Sequence, residues 1–191
     1  MSKIWFTADT HFNQERTLEL SKRPFDSVQS MTDTIVDRWN SVVNEDDIVY
    51  HVGDFGDYDV IERLNGKVNL ICGNYELDDF EEGKITKTEL IEKGFSSVQD
   101  CAVLDIEDIG KVYLTHKPND CVDPEMDKEI NFNLFGHIHK LQMVKSFGLN
   151  VGTDCHNFTP IDIDTVKFYF NAIKNYYDSN VFFDTYNMSE V

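Results

Sequence analysis

Short apolar segments of this chain repeatedly end in aspartate, asparagine or histidine, and no other feature constrains the fold as strongly. Strand-like runs over 4–8, 47–52 and 68–72 are each followed at once by polar residues. Parallel strands end along one edge of a sheet, where the connecting loops converge. We therefore expect one cluster of donor side chains, in chain order Asp9, His11, Asp54, Asn74, His116, His137 and His139.

The rest of the chain predicts alternating strands and helices, followed by hairpins. Apolar residues at helical spacing predict helices from Met31 with Ser30 or Thr32 as cap, over 60–64, over 86–93 with Gly94 closing it, and from Asp162. Further strands are predicted over 102–106 and 112–115, which would form a hairpin, and over 133–135, 141–145, 149–151 and 181–183.

This mixture predicts an α/β (α+β) fold in which two packed mixed β-sheets are flanked by helices. The sequence shows no linker, repeat or low-complexity stretch, so residues 1–191 are expected to form a single domain. The acidic run 78–82 is expected to be a solvated loop.

The charge balance limits the partners of the protein. It has 17 lysine and arginine residues against 35 aspartate and glutamate residues, a net charge of −18. Such a surface repels a phosphate backbone, so we expect no extended nucleic-acid groove. An anionic substrate would need a local source of positive charge, and bound cations would provide it.

Several features predict a cytoplasmic location. No stretch approaches the roughly 18 apolar residues of a membrane span. The chain start is typical of a first strand and lacks the features of a signal peptide. The cysteines show neither a CxxC pair nor a disulfide-framework spacing, as expected of a reduced compartment; they are Cys72, Cys101, Cys121 and Cys155.

The expected donor cluster favours a metal site. Each motif alone has an ordinary explanation, since Gly53-Asp54 and Gly73-Asn74 are common turn dipeptides. Seven converging donors would be costly to bury without a ligand, and a pair of divalent metal ions would satisfy them all. Carboxylate and imidazole without thiolate suit Mn, Fe, Ni or Zn and do not choose among them.

The ordered motifs resemble those of the calcineurin-like metallophosphoesterase superfamily. Its signature of DxH, GD, GN-H-E/D, H and GHxH is followed from about residue 4 to residue 155. The segments IWFTADTHF, WNSVVNEDDIVYHVGDF and NVGTD look like a small prokaryotic and phage branch. The resemblance implies a four-layer sandwich and a phosphoesterase with a dinuclear metal centre, in which a bridging hydroxide attacks phosphorus.

The resemblance also implies a role for each donor. Asp54 would bridge the two ions, and Asp54, Asn74 and Tyr75 would be the catalytic residues. One ion would be held by Asp9, His11, Asp54 and His139. The second would be held by Asp54, Asn74, His116 and His137.

Tyr75 departs from the family pattern, because GNYE stands where a histidine assists the leaving group. A histidine exchanges protons near pH 7, whereas the pKa of a tyrosine lies near 10. We therefore expect hydrolysis of diesters or activated aryl phosphates over alkyl monoesters, with a nucleotide-derived diester as one small phosphorylated substrate. The alternative is a binding or scaffold module of the same fold with weak or no catalysis.

Several other residues lie close to these motifs in the sequence. His51 is expected to pack within the sheet, and Asn13 to be an exposed loop residue. Asp154 is open to a role in orienting a ligand, whereas His156 is expected at the surface. Any aromatic residues near the C-terminal end that are exposed could contact a second copy of the chain, so a homodimer is one alternative.

Overall fold

Two five-stranded mixed sheets form the centre of the computed structural model, which describes residues 2–124 and 126–178. The first sheet has the order β10-β1-β2-β3-β4 and the second the order β5-β6-β7-β9-β8. The strands are β1 (Ile4–Thr7), β2 (Ile48–His51), β3 (Lys67–Ile71), β4 (Ser97–Gln99), β5 (Ala102–Ile106), β6 (Gly110–Leu114), β7 (Phe132–Phe135), β8 (Val144–Lys145), β9 (Gly148–Asn150) and β10 (Ile161–Asp162).

The strand directions place several carboxyl ends together. Strands β1 to β4 run parallel, with β10 antiparallel to β1. Strands β6, β7 and β9 also run parallel, with β5 and β8 antiparallel at the edges. The main-chain bridge between Ala8 and Gly152 links the loop after β1 to the loop after β9, and so joins the two sheets at this end.

Within the described part of the chain, five α-helices accompany the sheets, and two hydrophobic clusters hold the layers together. One cluster packs α2 against the first sheet through Met31, Ile35 and Trp39, and the other includes residues of both sheets and of α5. The helices are α1 (Glu15–Leu20), α2 (Val28–Val42), α3 (Asn74–Glu81), α4 (Lys87–Lys93) and α5 (Ile163–Tyr176).

Most predicted elements are confirmed. The two-sheet fold, the β5–β6 hairpin and α5 with Asp162 as its cap are present. Helix α4 has Thr86 as its cap and ends at Gly94, whose φ of +124° favours glycine. The helix predicted over 60–64 is a 3-10 helix, Tyr58–Arg63.

Other predictions are wrong or incomplete. Helix α2 begins earlier than expected, because Ser27 rather than Ser30 or Thr32 is its cap and accepts a hydrogen bond from Ser30 N. The strand predicted over 141–145 is reduced to β8, since the 3-10 turn His139–Leu141 occupies its start. The short elements α1, β4 and β10 were not predicted.

The acidic run 78–82 is not a loop, because Asp78 to Glu81 belong to α3 and Glu82 is its C-cap. The strand predicted over 181–183 lies outside the described residues. Within the described residues, no helix has both the length and the apolar character needed to cross a bilayer. The single domain over 1–191 stays a prediction.

Candidate metal centre

The loops that follow five strands meet at one end of the two sheets. Each expected donor lies within a few residues of a strand end, which is why the local sequence places it here. Asp9 and His11 follow β1, Asp54 follows β2, Asn74 begins α3 after β3, His116 follows β6, and His137 and His139 follow β7.

Six of the expected donors form two groups of three. Within each group, one ligand atom from every residue lies within 4.8 Å of the others. The seventh donor, Asn74, joins the second group, since its Oδ1 lies 3.2 Å from His116 Nε2 and 2.9 Å from His137 Nδ1. The groups are Asp9, His11 and His139, and Asp54, His116 and His137.

The Asp54 carboxylate faces both groups. Its Oδ2 lies 3.7 Å from Nε2 of His11 and 3.3 Å from Nε2 of His116. Its Oδ1 accepts a hydrogen bond from the backbone N–H of Tyr75 at 3.1 Å. The carboxylate is thus held from one side and presented between the two groups.

The backbone of the donors is unusual. Five of them lie in the left-handed region, which non-glycine residues adopt at a cost of about 1–3 kcal/mol each. Hydrogen bonds between loops maintain this geometry, including Asp9 N to Gly53 O at 2.9 Å and His11 N to Asp54 O at 3.1 Å. The φ values are +56° for Asp9, +48° for His11, +58° for Asp54, +73° for His137 and +47° for His139.

Glycines in the GD and GN motifs make room for the ligands. A Cβ at Gly53 would lie 2.5 Å from His116 Nδ1, and the φ of Gly53 is +89°. A Cβ at Gly73 would clash with the Asp54 carboxylate. The two turn glycines are therefore required by the packing of the donor side chains.

Hydrogen bonds to Nδ1 turn three imidazoles toward the centre. The Nδ1 of His116 lies 2.8 Å from the carbonyl of Val52, so it donates and directs Nε2 toward the other ligand residues. Nδ1 of His11 lies 2.7 Å from Gln14 Oε1. The Nε2 of His11 is buried and has no hydrogen-bond partner in the described structure, as expected of an atom that binds a cation.

A buried ion pair that the sequence did not reveal supports the first group. Arg23 Nε and Nη2 donate to the Asp154 carboxylate at 3.0 and 2.7 Å, and Asp154 Oδ2 lies 2.7 Å from His139 Nδ1. Arg23 also donates to the carbonyls of Asp9 and Thr10. The pair holds both His139 and the loop after β1 in place, so Asp154 lies where it can orient His139.

Glu76 supports the loops after β2 and β3. Its fully buried carboxylate accepts from the backbone N–H groups of Gly73, Asp54 and Phe55 at 2.7, 2.9 and 2.9 Å. Its place at the end of GNYE was the available signal for this role. For Arg23 and Gln14 the sequence offered no comparable signal.

Burial and the neighbouring carboxylates shift the pKa values of the cluster. Burial raises the pKa of Asp9 to about 6 and lowers the pKa of His11 to about 4. Burial alone would lower the pKa of His116, but its hydrogen bond to Asp54 and the charge of Asp9 raise it to about 9. Bound cations would replace these protons, so the donors fit divalent metal ions.

The remaining candidates lie around this cluster. Tyr75 is half-buried, and its ring packs edge-on against His11 with a centroid distance of 5.1 Å. Asn13 is exposed, as predicted, and donates to Asp57 Oδ2.

His51 is buried in the sheet beside Thr10 Oγ1 at 2.9 Å, which confirms its expected packing. The surface prediction for His156 is wrong, because the residue is half-buried and its Nε2 lies 2.7 Å from the Asn150 carbonyl.

Known proteins resemble this chain in sequence. An uncharacterized protein of Methanocaldococcus jannaschii is 29% identical over 182 residues, covering 87% of this chain and 90% of its own length. The gene 66 protein of Mycobacterium phage L5 is 31% identical over 85 residues, covering 40% of this chain and 41% of its own.

A solved structure shares the fold. The crystal structure of a protein of unknown function from Aquifex aeolicus has a TM-score of 0.68 at 18% identity, covering 88% of this chain and all of that one. The family model of the calcineurin-like phosphoesterase superfamily domain matches residues 3–160. The chain therefore belongs to the calcineurin-like phosphoesterase superfamily, and its aspartate and histidine groups support metal-dependent hydrolysis of phosphoesters.

Proposed function

We propose that the protein is a phosphodiesterase that works with two divalent cations, one at each ligand group. The position of Asp54 carries this proposal, because its Oδ2 lies within 3.7 Å of a histidine nitrogen from each group. A carboxylate in this place can contribute to both sites. Asp9, His11 and His139 would complete one site, and Asn74, His116 and His137 the other.

The cations and the protein chain would make different contributions to the reaction. A pair of Mn, Fe, Ni or Zn ions, when bound, would supply Lewis-acid activation of water and of the phosphoryl group. The chain holds the donors in one arrangement through the Nδ1 hydrogen bonds and the Arg23–Asp154 pair. Such preorganisation lowers the cost of stabilising charge that develops during the reaction.

The cleft beside the ligands suits a small substrate. It includes Arg16 and Tyr75 beside the ligand residues and has a volume of about 120 Å³. A nucleotide-derived diester is consistent with such a cleft and with the net charge of −18, which disfavours long nucleic acids. We also propose a cytoplasmic location, which the four free cysteines support.

Tyr75 supports a preference for diesters or activated aryl phosphates over alkyl monoesters. A phenol can donate a hydrogen bond to a phosphate or to a leaving oxygen, but it exchanges protons poorly near pH 7. Alkyl monoesters have poor leaving groups that need a proton, whereas aryl groups leave without one. The side chain lies in the cleft, where it can act on the leaving group.

The test compares bis(p-nitrophenyl) phosphate with glycerol phosphate at saturating Mn²⁺. We expect hydrolysis of the diester, its loss on chelation, and little release of phosphate from glycerol phosphate. The Tyr75→His variant should gain activity on the alkyl monoester, and Tyr75→Phe should not. A strong monoester preference in the unmodified protein would refute the diester assignment.

The alternative, a binding or scaffold module, predicts a different result. Such a protein would remain inactive on generic diesters after each of the four metals has been supplied in turn. The geometry favours catalysis, because the ligand set is complete and held in a costly left-handed backbone. Persistent inactivity with bound metal would establish the module instead.

A further inference from the structure

The basic side chains of this acidic protein are distributed unevenly. Most of them are engaged in ion pairs, hydrogen bonds or contacts with aromatic rings. Within residues 2–124 and 126–178, seven basic side chains have no hydrogen bond, ion pair or contact with an aromatic ring. Four of them line clefts beside the ligand groups, namely Arg16, Lys22, Lys117 and Lys140. The other three, Lys67, Lys128 and Lys145, do not line these clefts.

Three of these cations lie on one side of the candidate metal centre. Arg16 lines the cleft that contains His11 and His139. Lys22 and Lys140 line an adjoining groove of about 460 Å³ that is also bordered by His139. The cleft and the groove share Leu20 and Ser21 as lining residues, so they are continuous. We call Arg16, Lys22 and Lys140 the cationic rim.

The chain holds the cationic rim close to the ligands. Arg16 belongs to α1, and the buried Thr17 beside it anchors that helix. Lys22 precedes Arg23, whose ion pair with Asp154 is buried and tied to His139. Lys140 directly follows His139. Lys22 and Lys140 are thus adjacent in sequence to residues that hold the first ligand group, and Arg16 lines the same cleft as His11 and His139.

The groove also offers apolar contact. Leu20 is 69% exposed and Leu141 is 86% exposed, and both line the groove between the lysines. Exposed leucines beside unpaired cations match a ligand that is partly organic and partly anionic. The reacting phosphate would lie at the ligand groups and needs neither the exposed leucines nor the unpaired cations.

We propose that the cationic rim binds a second phosphate of the substrate, so that the preferred substrates are phosphodiesters carrying an additional phosphate group. The inference rests on the proposed phosphodiesterase function and deepens it. The physical reason is local: in a chain of net charge −18, unpaired cations along a groove provide a positive field that favours an anion there. The leucines would contact the organic part between the two phosphates.

The experiment uses two model diesters that differ by one phosphate. These are the p-nitrophenyl ester of thymidine 5′-phosphate and the same ester with a 3′-phosphate. With Mn²⁺ present, we expect kcat/KM to be about tenfold higher for the phosphorylated ester, the effect of about 1.4 kcal/mol from one charge-assisted contact. The preference should shrink at high ionic strength, because exposed charges are screened.

Variants connect the preference to the rim. Arg16→Gln and Lys140→Gln should each reduce the preference several-fold, and Arg16→Lys should retain part of it because the charge remains. Lys67→Gln is the matched control, since Lys67 is exposed and lies at the start of β3, away from the groove. It should leave the preference unchanged.

A binding measurement separates this inference from catalysis. Calorimetry on the Mn²⁺-loaded protein should show tighter binding of thymidine 3′,5′-bisphosphate than of thymidine 5′-phosphate, and Arg16→Gln should remove most of the difference. Equal hydrolysis of both esters would overturn the role of the rim and leave the phosphodiesterase intact. Equal binding of the two nucleotides would also overturn it, whereas failure to hydrolyse either ester would overturn the proposed function.

Discussion

The two ends of strands β1 and β2 carry buried carboxylates in opposite situations. At the amino end, the Asp47 carboxylate accepts hydrogen bonds from Lys3 N at 2.7 Å, Trp5 Nε1 at 3.0 Å and Asn44 N at 2.9 Å. The backbone N–H of Lys3 is the largest of the influences that lower the pKa of Asp47 to about 2. The carboxylate at this end therefore has its hydrogen-bond partners within the protein.

At the carboxyl end, the donors are incomplete without a ligand. The Asp9 carboxylate accepts from the backbone N–H of His137 at 3.0 Å, and burial still raises its pKa to about 6. The Nε2 of His11 has no hydrogen-bond partner in the described structure. The difference teaches that burial alone does not mark a site; a cluster of buried ligand atoms that includes an unpartnered one does.

Among the expected effects at the two ends, removal of the Asp54 carboxylate should have the largest. We expect Asp54→Asn to lower kcat/KM for bis(p-nitrophenyl) phosphate by about 10³-fold, because it weakens both cation sites and the charge stabilisation that depends on them. Asp33→Asn is the matched control, since Asp33 is an exposed partner of Arg63. Near-normal activity of Asp54→Asn would contradict the assignment.

Metal removal should destabilise the protein through the carboxyl end. Cations that bind the folded state alone stabilise it by about 2.7 kcal/mol at a concentration of 100 times Kd. We therefore expect chelation to lower Tm and added Mn²⁺ to restore it, as followed by differential scanning fluorimetry. The shift should be much smaller in Asp54→Asn, and an equal shift there would locate the stabilising ions elsewhere.

The two ends should respond to pH with opposite signs in the metal-free protein. The folded pKa of Asp9, about 6, lies above its ordinary 3.8, so its ionisation opposes folding as pH rises between these values. The folded pKa of Asp47, about 2, lies below 3.8, so its contribution is complete above 3.8 and is lost as pH falls toward 2.

Urea unfolding of Asp9→Asn and Asp47→Asn across this pH range measures both effects. As pH rises, the unmodified protein should lose stability relative to Asp9→Asn. It should gain stability relative to Asp47→Asn. We expect a change of about 3 kcal/mol for Asp9 and about 2 kcal/mol for Asp47. Slopes of the same sign for the two variants would contradict the contrast between the ends.

The smallest expected effect concerns the orientation of His11. Gln14→Ala removes the acceptor 2.7 Å from His11 Nδ1 and should weaken Mn²⁺ binding about tenfold, as for other residues that orient a ligand. Calorimetric titration with Mn²⁺ measures the change. Asn13→Ala is the neighbouring control, because its side chain bonds Asp57 instead. Equal affinities for the two variants would exclude an orienting role for Gln14.

The seven donors could be predicted from sequence because each follows a strand closely, and the ends of parallel strands must converge. The Arg23–Asp154 pair could not be predicted, since its partners are 131 residues apart and only the packed fold brings them together. The charge of run 78–82 favoured a loop, but Glu76 and the turn before it start α3, and local capping prevails over composition.

The most direct test of the account is anomalous diffraction from crystals of the full chain grown with Mn²⁺. The account predicts two anomalous peaks, one among Asp9, His11 and His139 and one among Asn74, His116 and His137, with the Asp54 carboxylate between them. A single peak would contradict the dinuclear centre, and the absence of any peak at these residues would contradict the metal site itself.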